Sequence, residues 1–282
     1  EGLEIKDGKL PEVEEADELT VSLNPQGAGQ IHNVTRGTLH AEVDVAFPAL
    51  HGVNGEDGTI QGVFEMAGIP YVGPGVMASA VGMDKEFMRK LMAAEGLPVT
   101  RDVILRGRTE LTEEEKDFLG LPVFVKPARG GSSIGVSKVS SWDELDTAIA
   151  EAAKSDDKVI VEAELIGAEV EVGVLEYPDG KLVASVPAKL NGTEDSEEGF
   201  YGFDTKYLDN TVTATIPAPF DDDTIKSIQD LAIETFKSLN CEGLSRIDFF
   251  VTDNGPMINE INTLPGFTPI SMYPQVFLAS GV

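Results

Sequence analysis

The sequence predicts a mixed α/β protein of about two domains, and three observations lead there. At 282 residues the chain is long for a single core. Short apolar runs of strand length alternate with segments of helical period, and glycine-rich loops separate them. The stretch from Arg246 to Tyr273 reads as two short strands joined by a tight turn at Asp253-Asn254-Gly255, a strong hairpin signal between apolar runs.

Composition narrows the functions. Hydrophobic residues make up 41% of the chain, enough for a packed core. Lys and Arg total 21 against 49 Asp and Glu, a formal net charge of −28. Such a surface repels nucleic acid and anionic membrane. An anionic ligand therefore needs locally placed Lys and Arg. The single cysteine, Cys241, excludes an intramolecular disulfide framework and fits a cytosolic compartment. It precedes an apolar strand and reads as a core residue. No apolar run has membrane-spanning length, and no signal-peptide pattern is seen. The opening to about Gln30 is polar and acidic, and the first residue is Glu1, so the chain reads as entered part-way.

The elements follow in order. Val43 to Leu50 (VDVAFPAL) reads as a buried strand, His51 to Gly58 as a Gly-rich loop, and Thr59 to Ala67 as a helix. A loop so placed is where α/β proteins bind ligands; it is equally a plain turn in which Glu56 or Asp57 caps the helix. Ile69 to Val72 reads as a short strand. Met83 to Glu95 is an amphipathic helix with Asp84 near its start, ending at Gly96 and Pro98. By spacing alone, Lys85 is a solvated helix charge.

Leu121 to Arg129 carries a strand with Lys126 inside it, where an unpaired ammonium would be costly, so something anionic should meet it. A Gly/Ser turn, Gly130 to Gly135, and the strand Val136 to Val139 follow. This hairpin resembles a phosphate-covering flap, although it matches neither the P-loop nor the dinucleotide pattern. Ser141-Trp142-Asp143-Glu144 is a capping box for a helix to about Lys154. Lys158 to Glu162 is a strand. Glu162, Leu165 and Glu169 either serve a nucleotide pocket or, with Glu164, are surface acids in an acidic protein.

Val170 to Tyr177 and Lys181 to Ala188 are strands joined by Pro178-Asp179-Gly180. Asn191 to Gly199 reads as a mobile loop, and Phe200 to Leu208, with Lys206 and Tyr207, as a lid or as a stapled loop. Asp222 to Asn240 is a helix with Ile225, Ile228, Leu231 and Phe236 on its apolar side. In the hairpin beyond it, strand alternation puts Arg246 and Asp248 on one face of the first strand, and Glu260 and Asn262 on one face of the second. If those faces coincide, two carboxylates and an amide meet beside a guanidinium. Such oxygen ligands suit Mg²⁺, which is usually completed by substrate phosphates. Solvent-exposed charges on a sheet edge are the bland alternative. The loop Thr263 to Thr268 offers backbone N–H groups to a ligand.

Four blocks taken in order are HGVNGEDGTIQG (His51 to Gly62), the Met83-Asp84-Lys85 helix start, VKPARGGSSIGVSKV (Val125 to Val139), and the hairpin with NEINTLPGFTPISMYP. Together they resemble the D-alanine–D-alanine ligases of the ATP-grasp superfamily, in wording closest to the actinobacterial branch, from about Val43 to the end. The resemblance implies an ATP-grasp fold with a partial Rossmann-like N-terminal domain. It divides the chain into residues 1–82, a central subdomain 83–172 with the flap, and a C-terminal subdomain 173–282.

It also implies the chemistry. ATP phosphorylates one D-alanine, and the amine of a second attacks the acyl phosphate, giving D-alanyl-D-alanine for peptidoglycan. By matching position, Lys85 and Lys126 would hold ATP phosphates, Lys206 would bind ATP from the closing loop, and Glu162, Leu165 and Glu169 would line the adenine and ribose pocket. Asp248, Glu260 and Asn262 would hold two Mg²⁺, with Mn²⁺ able to replace it. Arg246 would stabilise the oxyanion with the Gly266 N–H. Ser132 and Tyr207 would belong to a closing network, in which Tyr207 goes with D-alanine rather than D-lactate as second substrate. Ser271 and Met272 would meet the second D-alanine, with His51 near the amino-acid pocket. A cytoplasmic homodimer with no nucleic-acid or membrane partner is implied. Ala163 stands where many relatives have Lys. The family's N-terminal glutamate and C-terminal helix have no counterpart, so both ends are expected to be missing. A ligase of another carboxylate and amine, and a nucleotide-binding scaffold without catalysis, are the competing expectations.

Overall fold

The computed structural model describes residues 17–24, 27–131, 134–192, 213–268 and 270–282. The expected loop and lid between Asn191 and Leu208, including Lys206 and Tyr207, lie almost wholly outside these residues, as does Ser132. The chain divides into two compact units, one of Glu1–Ala46 with Gly62–Tyr71, the other of Phe47–Gln61 with Val72–Val282. Among the described residues no helix is long and apolar enough to cross a membrane.

The first unit holds an antiparallel meander of β1 (Leu19–Val21), β2 (Gln30–Asn33) and β3 (Thr38–Glu42); β1 lies in the opening that read only as polar and acidic, and β2 and β3 were not foreseen. The strands expected at Val43 to Leu50 and Ile69 to Val72 reduce to a single parallel bridge between Ala46 and Tyr71. Val45, Phe47 and Leu50 are exposed, and Pro48 removes a donor. An apolar run makes a strand only where a partner takes its hydrogen bonds. Helix α1 spans Thr59–Ala67, as expected.

In the second unit, α2 (Val76–Met83) was not foreseen, and α3 (Lys85–Ala94) starts at its cap Asp84. A four-stranded antiparallel sheet follows, in the order β4 (Asp102–Arg106), β7 (Lys158–Ala163), β5 (Val123–Pro127), β6 (Ser137–Val139). Period-two alternation divides its residues. Val123, Val125, Val139, Val159, Val161 and Leu105 enter one core with α4 (Glu113–Leu119) and α5 (Leu145–Ala152). The Ser141–Glu144 capping box forms as expected. Asp102, Arg106, Lys126, Lys158 and Glu162 fall on the opposite face, in register Asp102↔Glu162 and Lys126↔Ile160.

A six-stranded sheet runs β11 (Thr213–Thr215), β10 (Ala188–Asn191), β8 (Ala168–Glu176), β12 (Leu244–Thr252), β13 (Gly255–Asn262), with β9 (Leu182–Ala184) also on β8. The single strand expected from Lys181 to Ala188 is thus two strands, broken at Ser185 to Pro187. There the Ser185 hydroxyl takes the Gly173 N–H at 3.0 Å, and Pro187 cannot donate. Helix α6 (Asp222–Ser238) covers this sheet and buries Ile228 and Phe236 with Val172, Ile247, Phe249 and Ile258. Cys241 lies in the same core, where burial pushes its thiol up to about 12, so it is no nucleophile. Helix α7 (Met272–Ala279) was not foreseen; it packs on β8 where Gly173 leaves room, since a Cβ there would lie 2.5 Å from Phe277.

Helix α3 stands between the two sheets. Met88 and Met92 enter the core of the larger sheet, while Glu86 and Arg89 meet the charged face of the smaller one.

Candidate active site

The hairpin register decides the first cluster. Arg246 pairs Asn262 and Asp248 pairs Glu260, so the two faces coincide. A bulge follows at once: Glu260 opposes Asp248, but Ile258 opposes Phe249, leaving Asn259 as the extra residue. Strict alternation would place Ile258 beside Glu260; the bulge sends it to the core instead. Strand β8 adds a third column, with Glu171 opposite Asp248 and Gly173 opposite Arg246. Glu171, Asp248 and Glu260 therefore form a row of carboxylates across three strands.

Arg246 grips Asp248 with both arms of its fork, Nε to Oδ1 and Nη2 to Oδ2, each 2.7 Å. Its Nε lies 3.2 Å from Glu171. Asn262 donates to Asp248 Oδ2 at 3.0 Å. Burial opposes the charge of Arg246, but Asp248 and Glu171 hold its pKa well above the ordinary value. Glu169, Glu171, Asp248 and Glu260 line one small hollow above the sheet. Among the described residues, no three His, Cys, Asp or Glu side chains form a ready metal cage. Asp248, Glu260 and the Asn262 amide nevertheless supply the hard oxygen donors that Mg²⁺ takes when substrate oxygens complete its shell.

The second cluster brings the cations. Asp84 caps α3, accepting from the N–H of Glu86 at 3.2 Å and of Phe87 at 3.4 Å. It also pairs with Lys158. The Lys85 N–H is tied to the Ala128 carbonyl at 3.0 Å. Lys85 Nζ then reaches Glu260 at 3.1 Å and donates to the Gly130 carbonyl at 3.1 Å. The solvated placement that spacing favoured for Lys85 is thus overturned. The first turn of α3 is covered on both sides, and Lys85 is buried.

Lys126 meets the expected anion, Glu162 Oε1, at 2.5 Å. Arg89 takes the other oxygen of Glu162. Burial disfavours a charge on Glu162, yet Arg89 and Lys126 hold its pKa down at about 2. Glu162 is thus no surface acid; Glu164 is nearer that description, pairing with Lys138 at 2.7 Å. Leu165 and Glu169 are half-buried.

The third cluster ties the Gly-rich loop to the loop after the hairpin. The His51 ring donates through Nδ1 to the Leu264 carbonyl at 3.0 Å. Glu56 accepts from the N–H of Gly52 at 2.6 Å and of Leu264 at 3.3 Å. Burial raises its pKa, against those bonds and the nearby His51 and Arg246. Asp57, not Glu56, caps α1, accepting from Thr59 at 3.0 Å. Gly266 packs against Ser271, whose Oγ would lie 2.6 Å from an added Cβ. Ser271 is the residue at the N-cap position of α7; its Oγ makes no capping bond to the helix and accepts from the Thr268 N–H at 3.0 Å. Ser271 and Met272 therefore sit where helix N–H groups favour a carboxylate.

Arg246, Asp248 and Asn262 are joined by direct contacts, Lys85 contacts Glu260, which the strand register sets opposite Asp248, and Lys126 with Glu162 forms a neighbouring pair. Arg89 and Glu171 were missed. Only pairing partners reveal them, since Arg89 reads as one more charge on an amphipathic helix.

Two family models match the chain: the D-ala D-ala ligase N-terminus over residues 2–74 and the D-ala D-ala ligase C-terminus over residues 89–282. A D-alanine–D-alanine ligase of Corynebacterium efficiens is 64% identical over 282 residues, covering 100% of this chain and 78% of that protein. One of Mycolicibacterium smegmatis is 55% identical over 289 residues, with 100% and 78% covered. Among solved structures, the VanG D-Ala:D-Ser ligase from Enterococcus faecalis superposes with a TM-score of 0.83 at 38% identity, covering 94% of this chain and 76% of that one. The D-alanine-D-alanine ligase from Coxiella burnetii gives 0.80 at 33% identity, with 94% and 70% covered.

Proposed function

The chain belongs to the D-alanine–D-alanine ligase family, and from that premise we infer that it joins two D-alanines into D-alanyl-D-alanine for peptidoglycan, consuming ATP and using a divalent metal. The observation that carries this reading is the hairpin register, Arg246↔Asn262 and Asp248↔Glu260, with Lys85 on Glu260. The fold is that of ATP-grasp ligases.

ATP phosphorylates the carboxylate of one D-alanine, leaving ADP, and the amine of the second, losing a proton, attacks the acyl phosphate and expels phosphate. Lys85 and Lys126 receive the phosphates, releasing Glu260 and Glu162 from their ion pairs. Asp248, Glu260 and Asn262 would hold the metal, two Mg²⁺ in our reading, which would supply charge neutralisation to phosphate oxygens. Arg246 is oriented in advance by Asp248 and Glu171, so its charge meets the developing oxyanion without reorganisation. The Gly266 N–H assists it. Glu162, Leu165 and Glu169 line the adenine and ribose side. His51, Ser271 and Met272 face the amino acids; Glu56 keeps the His51 loop on the Leu264 loop. By the family resemblance, Ser132, Lys206 and Tyr207 would act when the site closes.

The three-part division at residues 82/83 and 172/173, a cytoplasmic setting and a homodimer complete the proposal. Competition from D-serine is the second reading to weigh, because VanG is a D-Ala:D-Ser ligase at 38% identity. The test measures ADP release with D-alanine alone and with D-serine or D-lactate added, resolving products by mass. D-alanyl-D-alanine as the main product is expected. ADP release without dipeptide, or a mixed product in excess, would overturn the assignment.

A further inference from the structure

Lys126 has two anions to serve, and this inference rests on the nucleotide reading of that residue. Its Nζ lies 2.5 Å from Glu162 Oε1, and both groups are buried. Arg89 Nη2 occupies Oε2 of the same carboxylate, and Arg89 Nη1 lies 3.5 Å from Asp102 Oδ1. Asp102 and Glu162 are cross-strand neighbours on β4 and β7, and Lys126 stands diagonally on β5. Arg89 reaches them from α3. It is only 2% exposed, so it offers no open face to a ligand.

A phosphate that draws on Lys126 takes away one partner of Glu162. A buried carboxylate left alone is costly; one that keeps a cation on its other oxygen is not. We propose that Arg89 is a positioning residue for ATP binding: by keeping Glu162 paired, it frees Lys126 to turn from the carboxylate to a phosphate. The division of the two Glu162 oxygens between two cations makes this exchange possible. Lys126 need only swing its ammonium, because its backbone stays in the β5–β7 ladder. Asp102 anchors Arg89 from the other side.

The simpler account is that Arg89 only cements α3 to the sheet. Kinetics of the full-length protein separate the two accounts. Arg89→Met should raise KM for ATP by on the order of 10²-fold, the scale of stranding a buried charge. The accompanying change in kcat should stay within about threefold. Arg89→Lys should recover most of the loss. In a Glu162→Gln background, Arg89→Met should change KM for ATP by less than about threefold, since an amide needs no cation. Equal losses in both backgrounds, or no loss with Glu162 intact, overturn the proposal. Should Arg89→Met fail to fold, Arg89→Lys is compared in the two backgrounds under the same criterion. Lys126→Met binding ATP with unchanged affinity in calorimetry would instead overturn the nucleotide reading of Lys126.

Discussion

The hairpin site and the charged face of the four-stranded sheet solve one problem in two ways. Both hold buried charge in an acidic protein. On the hairpin the charges are neighbours within one sheet, set by the ladders β8–β12–β13, and acids are in excess. Glu171, Asp248 and Glu260 share Arg246 and Lys85. Such a set is completed by a cation. On the smaller sheet the charges meet across layers, from α3 to β4, β5 and β7, and they balance. Asp102 and Glu162 face Arg89 and Lys126. A balanced set admits an anion only by exchange of partners. One region is therefore suited to a metal, the other to phosphate.

The harshest break of this contrast is Asp248→Ala. It removes a proposed metal ligand and the anchor of Arg246 together, so turnover should fall by on the order of 10³-fold. A Mg²⁺ titration should show the apparent metal affinity weakened as well. Unchanged metal dependence would deny the hairpin its part. Arg246→Ala leaves the carboxylates in place and should cost turnover on the order of 10²-fold or more, with ATP affinity little altered. Near-normal turnover in that variant would leave Arg246 as a structural partner of Asp248.

The smaller sheet makes its own prediction through pH. Buried Glu162 has a pKa of about 2 against an ordinary value of 4.5. A depressed carboxylate stabilises the fold above its unfolded pKa, and that stability is lost as pH falls from about 4.5 towards about 2. Melting temperature should therefore drop across this window in the parent protein and more gently in Glu162→Gln. Equal slopes would mean that the Arg89–Glu162–Lys126 group contributes nothing to acid unfolding. The smallest effect expected is a shift in specificity. Tyr207→Phe removes the hydroxyl that the family resemblance assigns to second-substrate choice, and the share of D-alanyl-D-lactate in a competition assay should rise. An unchanged ratio would move second-substrate choice towards Ser271 and Met272.

The two regions also differ in how far they could be read beforehand. For the hairpin, a turn signal and period-two spacing sufficed to bring Arg246, Asp248, Glu260 and Asn262 to one face, and strand position alone demanded an anion for Lys126. Thr59–Ala67, the Asp84 cap and the α6 boundaries were equally legible, because each rests on contacts a few residues apart. Four matching blocks carried the family. Tertiary structure decided the rest. It put the bulge at Asn259, which keeps Ile258 in the core while Glu260 stays in the site. It reduced Val43 to Leu50 to one bridge and split the strand after Lys181. It also buried Lys85, brought Glu171 beside Arg246, and set Arg89 on Glu162 across 73 positions of chain. Local spacing states which way a side chain points, but only the pairing of distant strands and the seating of a helix between two sheets state what it meets there.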